Sequence, residues 1–274
     1  MLNVFFCKKL SVVMIISLCS IAPDIAHAGE SEWELGIGLA ALDIPFYPGS
    51  SQSDSYVFPL PYFLYRSENL KIENGLEATL FRTPRTRFNL SADFAVPVNS
   101  QDSTSRMGMP DLNLVIQLGP SLEITLAGGR FKPSHTRLDL PVRAAIETDL
   151  GSAESVGWIF EPRLTYETRR PYKLGFAQLI SGGLRFATEE LNQFYYGVES
   201  AYVTPERPQY DATAGYSGLF VDYIANWRSE DFIFWGLLRY QNLQGTAFQD
   251  SPLIEQKDYL MFGVGVTWVF ARKL

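Results

Sequence analysis

The chain alternates. Between residues 259 and 270 the even positions Leu260, Phe262, Val264, Val266, Trp268 and Phe270 are apolar, while the odd positions Tyr259, Met261, Gly263, Gly265 and Thr267 are small or mildly polar. Successive side chains of a strand point to opposite faces, so one face of this segment is continuously apolar. The same period of two runs through 137–147, where Leu138, Leu140, Val142, Ala144 and Ile146 oppose Arg137, Asp139, Arg143 and Glu147. It recurs at 87–96, with Phe88, Leu90, Ala92, Phe94 and Val96 against Arg87, Asn89, Ser91 and Asp93. At 156–167, Val156, Trp158, Phe160, Leu164 and Tyr166 oppose Glu161, Arg163 and Glu167; at 70–80, Leu70, Ile72, Leu76, Ala78 and Leu80 oppose Lys71, Glu73 and Glu77.

A soluble sandwich also alternates, but its strands run about 5–6 residues. The runs here last about 9–12, the length a tilted strand needs to cross hydrocarbon. Trp33, Tyr65, Trp158, Trp227 and Trp268 recur near run ends, as in an aromatic girdle. The pattern predicts an all-β protein: a closed antiparallel transmembrane β-barrel of about twelve strands, at 33–43, 56–66, 70–81, 86–97, 110–119, 121–131, 136–148, 156–168, 173–186, 213–227, 232–243 and 258–270. Gly119-Pro120, Pro84, Pro133, Gly151 and Pro171 are read as punctuation between them. With the N-terminus on the periplasmic side, the long connections 44–55, 187–212 and 244–257 fall outside. The connection 98–109 is long yet falls on the periplasmic side in this count: either a strand is miscounted or this turn has a role facing the cell wall.

The N-terminus reads as an export signal. Lys8 and Lys9 precede an apolar run over 10–22, too short to span as a helix, and Ala26-His27-Ala28 gives a small-x-small site with cleavage expected between Ala28 and Gly29. Residues 29–274 then form a single barrel domain. Both cysteines, Cys7 and Cys19, leave with the signal, which excludes a disulfide framework and thiol chemistry from the mature chain. The chain carries 23 Lys and Arg against 30 Asp and Glu, a net charge of −7, and loss of the signal makes it one charge more negative. Nucleic acid, whose binding rests on clustered basic side chains, is not an expected partner.

Catalytic groups are sparse. His135 is the one histidine outside the signal and lies in a proposed turn, where a solvated polar residue is expected rather than a triad base. One His and no Cys leave little for a zinc site, and Asp43 and Asp54 are too few for a confident cation site. No enzyme, cofactor or metal is expected. The inward charges are the better lead: Lys71, Glu73, Glu77, Arg87, Asp93, Arg137, Asp139, Arg143, Glu147, Glu161, Arg163 and Glu167, joined by Lys173 and Arg185, would line the lumen. They would either zip into a salt-bridged interior or line a narrow aqueous pore. Barrels of about 8 strands are filled and those of about 16–18 leave channels, so a largely occupied or narrow lumen is favoured without being decided.

Several segments resemble the MipA/OmpV family of outer-membrane barrels. They are Tyr47-Pro48-Gly49-Ser50 with Tyr56-Val57-Phe58-Pro59-Leu60-Pro61-Tyr62; Gly108-Met109-Pro110-Asp111-Leu112-Asn113 running to Leu118-Gly119-Pro120; Tyr195-Tyr196-Gly197-Val198 with Tyr210-Asp211-Ala212; and Leu243-Gln244-Gly245 with Asp250-Ser251-Pro252-Leu253. The resemblance implies a non-enzymatic barrel of the Gram-negative outer membrane. Its roles include scaffolding a lytic transglycosylase and a peptidoglycan synthase, with porin-like or adhesive roles in other members. It makes Arg106, Met109, Pro110 and Asp111 the possible partner contact. Gly265, Trp268 and Phe270 resemble the C-terminal signal read by the outer-membrane insertion machinery, although Ala271-Arg272-Lys273-Leu274 follow where the aromatic usually ends the chain.

Overall fold

The computed structural model describes residues 32–66, 70–72, 76–128, 133–149, 151–168 and 174–273. The expected signal, with Ala28 and Gly29, lies outside them. The described residues form one antiparallel sheet of thirteen strand segments. These are β1 (Glu32–Pro45), β2 (Ser53–Arg66), β3 (Leu70–Ile72), β4 (Leu76–Arg82), β5 (Thr86–Ala95), β6 (Leu114–Gly128), β7 (Ser134–Thr148), β8 (Ala153–Phe160), β9 (Arg163–Thr168), β10 (Gly175–Ala187), β11 (Gly215–Arg228), β12 (Phe232–Asn242) and β13 (Asp258–Lys273). Among the described residues a single α-helix, α1 (Glu189–Tyr196), lies in the connection from β10 to β11.

Sequence neighbours pair along most of the sheet. β8 and β9 follow one another along a shared course, each hydrogen-bonded to β7 on one side and β10 on the other. β10 pairs with β11 from Gly175↔Arg228 to Ala187↔Gly215, and β13 pairs back to β1 from Trp33↔Lys273 to Asp43↔Phe262. Each strand therefore has a partner on both edges, the arrangement lipid demands because it offers no hydrogen bond to a bare edge.

The faces sort as the alternation predicts. On β13 Leu260, Phe262, Val264, Trp268 and Phe270 are exposed, while Tyr259, Thr267 and Val269 are buried. On β11 Val221, Tyr223 and Trp227 point out and Phe220 and Asp222 point in. A soluble protein would hide such a belt of leucine, valine and aromatic side chains; here it is the outer surface, and polar groups occupy the inside. Trp33, Tyr65, Trp227 and Trp268 gather at one end of the sheet, while Trp158 lies mid-course.

Three departures from the expected segments share a cause in proline chemistry or strand length. The expected strand 70–81 is two pieces, β3 and β4. The expected strand 156–168 breaks at Glu161-Pro162 into β8 and β9, and Pro162 has no N–H to donate. Conversely, 110–119 and 121–131 are one strand, β6, running straight through Gly119-Pro120. There the β6–β7 register passes from Leu118↔Ala144 to Ser121↔Pro141, so two prolines sit where the ladder lapses. Gly119 is required by the close approach: a Cβ there would lie 2.0 Å from the carbonyl oxygen of Val142.

The antiparallel pairing of β3 with β4 adds one reversal, and fusing two expected strands into β6 removes one, so the chain between them runs opposite to the expected direction. The connection from β5 to β6, containing 98–109, emerges at the same end as the connections β1–β2, β10–β11 and β12–β13. The anomalous turn is not on the side of the short turns.

Candidate functional site

That shared end is a packed cap. Tyr47, Val98, Met109, Leu112, Tyr196, Val198, Ala212, Leu243, Phe248 and Leu253, from four different connections, form one buried apolar cluster with Tyr259 of β13. Tyr196 stacks on Phe248 at 3.7 Å between ring centroids with an 11° interplanar angle. α1 starts after Thr188, whose hydroxyl accepts from the backbone N–H of Trp158. The helix packs Leu191 against the inward residues Val115, Ala145 and Ile159. The helix therefore seats in the mouth of the interior rather than standing off it. The sequence carried its signal, a threonine followed by Glu189-Glu190 in a first turn, which favours a helix start.

Polar groups inside the cap are matched to one another across the chain. The Tyr47 hydroxyl donates to the Leu253 carbonyl at 2.8 Å and meets the Ser105 hydroxyl at 2.7 Å. Arg106 donates to the carbonyl oxygens of Tyr195 and Pro110 at 3.1 and 3.2 Å and lies 5.8 Å from the Tyr47 ring centroid. Arg207 donates to the carbonyl oxygens of Tyr202, Ser105 and Met107. Ser251 donates to the Tyr196 carbonyl at 2.7 Å. Burial pushes the phenols of Tyr47 and Tyr195 up to about 12, raises that of Tyr196 further, and lowers the Arg106 guanidinium from its ordinary value.

This geometry corrects the expected partner contact. Arg106 and Met109 are buried pins of the cap, not exposed contacts; Pro110 and Asp111 remain exposed, and Asp111 accepts from the Ser100 N–H at 2.7 Å. A second correction concerns His135. It is not a solvated turn residue but a buried member of β7, with its Nε2 3.2 Å from Arg137 and 3.7 Å from Glu167.

Beneath the cap the interior holds ion clusters. Glu161 sits between β8 and β9, its backbone N–H donating to the Pro141 carbonyl at 3.2 Å, on the inward face with Ile159 and Arg163. Its oxygens accept from Arg143 and from Arg185 Nε and Nη2 at 2.8 and 2.7 Å, with Arg163 at 3.6 Å. Arg143 is 2% exposed and Glu161 3%. Arg143 also lies 3.7 Å from Asp93 and donates to Ser91. Toward the other end, Arg137 pairs with Asp139 at 3.0 Å and Glu167 at 2.7 Å, and Arg87 pairs with Glu123 at 3.2 Å. Glu147 accepts from Asn113 near the cap.

All the described members of the expected lumen set therefore face inward. The side chains of Lys71, Glu73, Glu77 and Lys173 lie outside what is described. The sequence reading missed the paired Asp222 and Arg239, the bidentate pair of Glu34 with Arg228 at 2.8 and 2.9 Å, and Glu123. Asp222 was legible as the lone charge in the apolar run 216–227; Glu34 and Arg228 sit at strand ends and look like interfacial charges. Asp43 accepts from the Ser55 hydroxyl. Among the described residues no group of three or more His, Cys, Asp or Glu is disposed to hold a metal. In the expected insertion signal, Trp268 and Phe270 point outward, ring centroids 5.7 Å apart. Gly265 points inward, where a Cβ would meet the Trp235 ring at 2.5 Å.

An apolar exterior, an ionic interior and strands partnered on both edges define an outer-membrane β-barrel protein. The chain belongs to the family described as MltA-interacting protein MipA, whose model matches residues 37–270. No curated protein matches the chain significantly in sequence. Among solved structures it is similar to a bacterial polysaccharide outer membrane secretin, with 10% identity, a TM-score of 0.43, and coverage of 88% of this chain and 98% of that one. It is also similar to a FadL homologue of Pseudomonas aeruginosa, with 9% identity, a TM-score of 0.32, and coverage of 88% and 90%. The outer membrane protein OprG of Pseudomonas aeruginosa matches at 13% identity and a TM-score of 0.24, over 87% and 93%. These are distant likenesses and carry no functional information.

Proposed function

We propose that residues 29–274 form a closed barrel, capped at one end, that enters the Gram-negative outer membrane after its signal is removed. It acts there as a non-enzymatic scaffold for murein-remodelling enzymes. The family description supports a lytic transglycosylase as partner, with a peptidoglycan synthase as the second enzyme such a scaffold would bring alongside. The observation that carries the scaffold over a pore is the cap: four connections joined through a buried aromatic core over an interior already occupied by ion pairs. A permeation route would have to break both. The test combines two readouts on the full-length mature protein. In a planar bilayer it should stay electrically silent, and a tagged copy should retain a lytic transglycosylase from detergent-solubilised envelopes. Steady open steps together with failure to retain that enzyme would overturn the reading.

A further inference from the structure

Among the described residues the cluster around Glu161 is rich in arginine. Four guanidiniums converge there, Arg143, Arg163, Arg185 and Arg239, against three carboxylates, Asp93, Glu161 and Asp222. They come from six different strands and the gap before β9, so the grouping is a product of the fold rather than of one local motif. Arg239 and Asp222 satisfy each other through two hydrogen bonds, and Arg185 holds Glu161 through two more. Arg163 is different. Among the described residues its guanidinium makes no side-chain hydrogen bond, and its Nε is buried without a partner. Its nearest carboxylate oxygen, on Glu161 at 3.6 Å, already accepts from Arg143. Asp139, opposite Arg163 in the register, is engaged by Arg137 and Thr165.

The guanidinium lies over Phe220, its carbon 5.6 Å from the ring centroid, with Arg239 5.5 Å from the same ring. Nor is the cluster dry. The side chains of Arg163, Arg185 and Arg239 are 23%, 19% and 26% exposed, and that of Asp93 is 42% exposed, on the inward faces of their strands. A guanidinium with spare donors in an arginine-rich cluster that is partly open on its inward face supplies the elements of an anion site, since a buried cation needs a counter-charge or water.

We infer that Arg163, with Arg185 and Arg239 beside it, binds a small oxyanion, a carboxylate or phosphate group, inside the lumen beneath the cap. The planar fork of Arg163 presents its N–H groups to two oxygens of such a group. The site rests on the barrel reading above but not on the scaffold role, and it fails separately. Bilayer silence says nothing about it, and absent anion binding leaves the sealed barrel intact.

The test is isothermal titration of the detergent-solubilised mature protein, in chloride-free buffer, with inorganic phosphate and in parallel with acetate. Heat-modifiable gel mobility certifies the fold of each sample. At least one of the two anions should bind the unaltered protein. Arg163→Gln should weaken that binding about tenfold or more, the scale of a lost charge-assisted contact, while Arg85→Gln in the β4–β5 turn leaves it unchanged. If Arg163→Gln does not fold, Arg163→Lys, which keeps the charge and loses the fork, should bind several-fold more weakly. No heat with either anion, or equal affinity in the folded Arg163 variant, would overturn the site.

Discussion

Replacing Glu161 with glutamine measures whether the interior is dry or wet. The substitution keeps the shape of the side chain and removes its charge. What remains around it is Arg143, 2% exposed, and Arg185, which gave Glu161 two hydrogen bonds, with Arg163 alongside. Four guanidiniums would then face two carboxylates, Asp93 and Asp222. Removing one partner of a buried pair costs about 3–5 kcal/mol, because the loss is dominated by the uncompensated charge and not by the bond itself. Glu161 is nearly inaccessible, so its charge belongs to that buried class; Arg185 is partly open, which places the expected cost toward the lower end, about 3 kcal/mol. The assay is reversible urea unfolding of the refolded barrel in lipid vesicles, followed by tryptophan fluorescence. The double variant Glu161→Gln with Arg143→Met should recover a substantial part of the loss, since it removes the most deeply buried of the stranded charges. A change below about 0.5 kcal/mol for Glu161→Gln would refute the reasoning. It would mean that luminal water screens the cluster as it screens surface pairs, which are worth about 0–1 kcal/mol.

Two other outcomes follow from the exterior and the cap. Val264, exposed at the middle of β13, should not tolerate arginine: Val264→Arg is expected to lower barrel stability in vesicles by about 2–4 kcal/mol and to slow insertion, whereas the same change on a soluble surface would be nearly silent. The cap should loosen in alkali. Tyr47 and Tyr195 ionise at about 12 in the folded protein against 10.0 when solvated, so below pH 10 both states hold the proton and nothing changes. Between pH 10 and 12 the open form loses protons that the packed form retains, and cap stability falls across that window. Limited proteolysis of the 243–257 connection should therefore accelerate from pH 10 upward while heat-modifiable mobility persists; cleavage independent of pH would contradict the packing assigned to the two phenols.

The alternation was legible because lipid enforces it. A residue such as Phe262 or Ile180 can face hydrocarbon and a residue such as Arg137 cannot, so the outward and inward lists emerge from the period alone. Two kinds of feature were not legible. Gly119-Pro120 reads as a turn in any local scheme, and only the presence of Pro141 across the ladder explains why a strand can run through it. That misreading, together with the hairpin hidden in 70–81, reversed the side assigned to 98–109 and made a cap segment look like a periplasmic contact. The ion clusters belong to the second kind. Period two says that Arg143, Glu161 and Arg185 share the inside, but which guanidinium meets which carboxylate depends on register and on the break at Pro162. Hence the expected set is silent about Arg163 standing without a hydrogen-bonded side-chain partner among the described residues.

The Tyr47 hydroxyl and the Leu253 carbonyl are 206 positions apart in the chain. Such a contact waits on the same event that pairs β13 with β1, the meeting of the first and last elements of the chain. Joining the outermost strands and latching the lid therefore depend on one encounter, and a lesion that keeps those strands apart also leaves the lid unfastened.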